Sequence, residues 1–158
     1  TRRASITSDG IEAAEGALVV KFLTAQDRVY PQVLHELRSG RKQTHWMWFV
    51  FPQLAGLGHS ETARFYALAG LGEAQIFAGH AILGTRLREC TRAVLLHAPD
   101  GVAPRRLDAI FGTPDDRKFI SSMTLFKRAV PEEPMFAEAL TAFNGGREDL
   151  RTVELLGL

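Results

Sequence analysis

The nine residues His45-Trp46-Met47-Trp48-Phe49-Val50-Phe51-Pro52-Gln53 decide how the rest of this chain is read. Both of its tryptophans, two phenylalanines and a histidine fall within seven of them, more aromatic surface than a solvated loop can carry. The stretch is therefore a core segment with a polar rim, entered through Arg41 and Lys42 and left through Gly56 and Gly58. By pattern it fits a buried strand or a short buried helix. No second strand-like run lies nearby to pair with it, so it reads as helix, with Thr44 as cap and Pro52 as stop.

Upstream of it, Leu18, Val19, Phe22 and Leu23 recur at helical spacing. After a break at Asp27 the set Val29, Val33, Leu34 and Leu37 repeats that pattern until Gly40 caps the end. Residues 1–15 are polar and weakly patterned and read as an irregular N-terminal segment, which leaves residues 16–158 as a single helical domain. Downstream, Ser60 opens a helix, Glu73 to Gly79 forms a short one, and Ala81 to about His97 a longer one with the apolar line Leu83, Leu87, Cys90 and Val94. Pro104 begins another, closed by Gly112. Thr113-Pro114-Asp115-Asp116 then supplies a cap, a first-turn proline and two acids at the positive end of the helix dipole, for a helix running to about Ala129. Met135 to Phe143 and a last turn capped by Asp149 complete the chain. The fold class is all-α, a compact single domain of about seven to nine short helices in an orthogonal array.

Composition bounds the function classes. With 158 residues, 46% hydrophobic and 23% charged, the chain can bury roughly 70% of its unfolded surface without a staple. A formal net charge of +1 gives no general attraction for nucleic acid or membrane. No apolar run approaches the roughly 18 to 20 residues that span a bilayer, and the first residues lack a signal-peptide layout. The single cysteine, Cys90, excludes an internal disulfide and a cysteine zinc cluster. On an apolar helical face it reads as a buried, inert thiol, in keeping with a cytoplasmic location. Walker-type phosphate loops, GxGxxG, GxSxG and HExxH are absent. The five histidines, His35, His45, His59, His80 and His97, have no pair spacing, so no metal and no cofactor is assigned.

The runs GRKQTHWMWFVFPQLAGLGHS, GHAILGTRLREC, IFGTPDDRKFISSMTLF and RTVELL, in this order, resemble the bacterial proteins grouped as domain of unknown function 1810, some of them mislabelled calpastatin. The resemblance extends over about residues 22–156, and HWMWFVFPQ with SSMTLF carries most of its specificity. Arg28 stands where a proline is common, and Ala81 where HPVLG-like runs are usual. The resemblance implies a mainly helical fold and carries no functional residue with it.

The residues themselves suggest a chemistry. Arg41, Lys42, His45 and Gln53 place cations, an imidazole and an amide around the aromatic faces of Trp46 and Trp48, equipment that can hold an anion and a flat ring. Further on, Asp115, Lys118 and Ser122 share one helical face, while Asp116, Phe119, Met123 and Phe126 share the neighbouring one. Each group also has a plain structural reading: the aromatics as core, Asp115 and Asp116 as dipole and capping acids, Arg41 and Lys42 as helix-end charges. Buried polar groups need partners, and neither segment carries enough for itself. The two are therefore expected to meet and to line the polar cleft of the domain. In it His45, with Asp115 or Asp116, would move protons, and Arg41, Lys42, Trp46, Trp48, Gln53, Lys118 and Ser122 would hold a phosphorylated or nucleotide-like small molecule. Cleavage of an N-glycosidic or phosphoester bond fits that set. The alternative is a non-catalytic module that docks a protein partner through an exposed apolar patch.

Overall fold

Residues 2–157 are described by the structure, a computed structural model, with the side chains of residues 2–9 and Ile11 outside the description. The chain runs through α1 (Arg2–Asp27), α2 (Tyr30–Ser39), α3 (Met47–Val50), α4 (Glu61–Tyr66) and α5 (Leu71–Gly79). It continues through α6 (Leu83–Leu95), α7 (Leu107–Phe111), α8 (Asp115–Ala129), α9 (Met135–Asn144) and α10 (Leu150–Leu155). Among the described residues there is no strand, only a parallel bridge between Leu54 and Leu68. The fold is all-α, with ten helices among the described residues, six of them of seven or more residues.

α8 is the axis of the packing. Every residue from Phe119 to Phe126 is buried, because α5, α7, α9 and α10 all pack against this helix. A helix buried on every side loses the polar stripe of a surface helix, and two of its three buried hydroxyls turn back on the backbone. Ser121 donates to the Arg117 carbonyl at 3.1 Å and Thr124 to that of Ile120 at 2.9 Å. Thr124 Oγ1 also accepts the Asp149 N–H at 2.9 Å, which fastens the start of α10 to the axis. Around it two sets of aromatic contacts, Phe22–Phe77–Phe126–Phe136 and Phe111–Phe51–Phe119, lie within one continuous core.

Several local expectations hold and several are corrected. α1 ends at Asp27, Gly40 caps α2 with φ 75°, and Ser60 and Asp149 cap α4 and α10 through the N–H groups of Ala63 and Thr152. α1, however, begins at Arg2 and takes in the segment expected to be irregular. Glu12, Ala13, Ala14 and Glu15 are strong helix formers, and the first buried side chain described on this helix is Leu18. The aromatic stretch is helical for only the single turn of α3, and Thr44 does not cap it. Nor does Thr113 cap α8. Pro114 occupies that position, and Asp116 Oδ1 takes the Arg117 N–H at 2.9 Å instead.

Candidate functional site

Glu36 explains why the aromatic stretch sits where it does. On α2 it falls between Val33 and Leu37 on the buried face and is 1% exposed. No cation pairs with it among the described residues. Its Oε1 accepts the N–H groups of Gln43 at 2.7 Å and Thr44 at 3.0 Å and the indole N–H of Trp46 at 3.0 Å. Its Oε2 accepts the Thr44 hydroxyl at 2.7 Å and the Gln32 amide at 2.9 Å. Burial alone would raise the carboxyl, but these donors outweigh it and bring it down to about 2. Thr44 is thus spent on Glu36, which is the physical reason it does not cap α3.

Held in this way, the 41–45 loop reaches α8. The Lys42 N–H donates to the Ile110 carbonyl at 2.7 Å, which lays the loop along α7, and Lys42 Nζ lies 3.0 Å from Asp115 Oδ2. Lys118, one turn along α8, places its Nζ 3.1 Å from Asp115 Oδ1. Each lysine also stands over an indole, Lys42 at 5.0 Å from the Trp46 ring and Lys118 at 4.9 Å from that of Trp48. Two cations therefore share one carboxylate on a platform of two tryptophans. The Lys42 side chain is only 8% exposed, so this charge is poorly screened.

The other expected site residues divide. Arg41 and His45 are exposed at the rim of the cluster, without a described side-chain partner. Trp48 is half-buried and adjoins the cluster, whereas Trp46, 1% exposed, belongs to the core beside Phe51 and Phe111. Gln53 is half-buried and its described bond is made by its carbonyl, which accepts the Leu68 N–H at 2.9 Å. Ser122 is fully buried in the axis of α8 and its hydroxyl has no partner, so it does not front a cleft. Asp116 faces away from Asp115, onto a cavity of about 730 Å³ on the opposite flank of the first turn of α8. The two segments meet as expected, but the largest described cavity lies beside their junction and not in it.

Sequence reading passed over Glu36 and His97. Both stand on otherwise apolar helical lines, Glu36 between Val33 and Leu37 and His97 three residues beyond Val94, and a charged or polar residue at such a position is the available signal. His97 lies 2.8 Å from both the Leu37 and the Ala103 carbonyls, one at each ring nitrogen. Cys90 is fully buried, and that burial pushes its thiol up to about 12, the inert state expected of it. Among the described residues no group of three or more His, Cys, Asp or Glu could hold a metal ion, and no helix is long and apolar enough to cross a membrane.

No curated protein matches this chain. A solved structure does: the crystal structure of the conserved hypothetical protein Rv1873 from Mycobacterium tuberculosis is 50% identical, with a TM-score of 0.80, over 87% of this chain and 94% of that one. The profile of the family described as protein of unknown function (DUF1810) matches residues 17–156, a span that opens one residue before the first described buried side chain of α1. The chain belongs to that family.

Proposed function

We propose that this protein binds a phosphorylated or nucleotide-like small molecule at the junction of the 41–48 loop with the first turn of α8. One observation carries the reading: Lys42 and Lys118 converge on the single carboxylate of Asp115, at 3.0 and 3.1 Å. The group keeps an uncompensated positive charge in a half-buried setting, and a phosphate or carboxylate of a ligand neutralises it. Trp48, whose indole is only half-buried, offers the ring on which a flat ligand stacks. Arg41 and His45 are exposed, next to Lys42 and Trp46 in the chain, where Arg41 adds a further cation and His45 a hydrogen-bonding ring. Trp46 serves as the platform for Lys42 and not as a ligand contact.

A thermal-shift screen over nucleotides and sugar phosphates tests this. At least one compound should raise the melting temperature of the wild type, Lys118→Ala should remove that response, and Lys118→Arg should keep part of it. Finding no responding compound, or an unchanged response in Lys118→Ala, contradicts the proposal.

A second reading, a module that docks a protein, has its own observation. Val20 on α1 and Phe65 on α4 are exposed beside Tyr66, along an apolar depression of about 570 Å³. Its test is whether Phe65→Asp abolishes association with a partner while leaving the small-molecule response intact.

A further inference from the structure

We propose that the cavity on the far flank of α8 is a second anion site, built for a small molecule carrying more than one phosphate charge. The cavity is an open depression of about 730 Å³, within the range of ligand clefts, and four arginines, Arg105, Arg106, Arg117 and Arg147, line it against two aspartates. Those aspartates are already engaged. Asp108 takes Arg106 in a forked pair at 3.1 and 2.9 Å, and Asp116 Oδ1 is turned onto the backbone N–H of Arg117.

The remaining guanidinium groups are unevenly provided for. Arg105 lines the cavity with its guanidinium held by two backbone carbonyls, Nε donating to Gly40 at 2.6 Å and Nη2 to Ala109 at 3.5 Å. Arg117 on α8 and Arg147 on the connection between α9 and α10 have no ion-pair or hydrogen-bond partner for their guanidinium groups among the described residues. Elsewhere in the chain Arg88 and Arg128 are tied to Glu133 and Glu148. Like charges brought to one concavity from separate elements repel one another, and a polyanion is the species that turns this repulsion into attraction. Ile120 and Phe143 close one side, which suits a compact organic phosphate.

Isothermal titration of the full chain with inorganic pyrophosphate at low ionic strength, compared with inorganic phosphate, tests the proposal. Pyrophosphate should bind more tightly than phosphate. The double variant Arg117→Ala/Arg147→Ala, at two exposed positions, should weaken it by about ten-fold or more. Arg117→Lys/Arg147→Lys should restore part of the affinity. The same comparison made in the Lys118→Ala background, where the site proposed at Asp115 is removed, should show the same loss in the arginine double variant, which separates the two sites. No binding of pyrophosphate, equal binding by the arginine double variant, or no pyrophosphate binding left in the Lys118→Ala background would each overturn it. Tighter binding of a short oligonucleotide through the same arginines would also overturn it, by showing a nucleic-acid surface in place of a small-molecule site.

Discussion

Glu36 concentrates the energetics of the candidate site in one side chain. A carboxylate that accepts five hydrogen bonds in the interior is lowered from 4.5 to about 2 on folding, a difference that corresponds to about 3 kcal/mol. Because the folded value is the lower one, this stability is fully present above pH 4.5 and is lost as the pH falls toward 2. Urea unfolding followed from pH 6 to pH 3 should therefore show a declining midpoint. In Glu36→Gln, already less stable by about 3 kcal/mol at pH 6 because an amide offers protons to groups that themselves donate, that decline should be shallower. A variant as stable as the wild type at pH 6 contradicts this account. The same scale separates scaffold from rim among neighbours: Trp46→Ala should cost about 3 to 5 kcal/mol as a core cavity, and exposed His45→Ala less than about 1 kcal/mol.

Among the helices, α6 and α8 show what a linear pattern can and cannot convey. The line Leu83, Leu87, Cys90 and Val94 is legible because one face of α6 meets the core, and all four are buried. Gly40, Ser60 and Asp149 were legible as caps because each acts within a few residues of itself. Thr44 and Thr113 were misread for the converse reason. Glu36, eight residues before Thr44, claims that side chain, and at α8 Asp116 supplies the acceptor that Thr113 was expected to provide. Nor could periodicity show that α8 is enclosed by four other helices, so a face expected to border a cleft is packed interior at Ser122. The buried hydroxyl of Ser122 without a partner yields a direct check. Ser122→Ala should leave stability unchanged or raise it by up to about 1 kcal/mol, whereas Thr124→Ala, which strands the Asp149 N–H, should cost about 1 to 2 kcal/mol.

For the whole molecule, the meeting of the aromatic segment with the start of α8 was readable from sequence, since each carried polar groups it could not satisfy alone. The cavity beside it was not, because its arginines come from three stretches 11 to 42 residues apart that no local pattern links. The two flanks of the first turn of α8 are therefore separate sites in this account, one centred on Asp115 and the other faced by Asp116. The first is the ligand site of the proposed function. The chain has only two tryptophans, so its two indole N–H signals in a nitrogen-proton correlation spectrum report the core and the site separately. Titration with a ligand found in the thermal-shift screen should move the Trp48 indole signal progressively while the Trp46 signal, held by Glu36, stays in place. Both signals staying fixed while the ligand binds, or the Trp46 signal moving alone, would contradict a ligand site at Asp115.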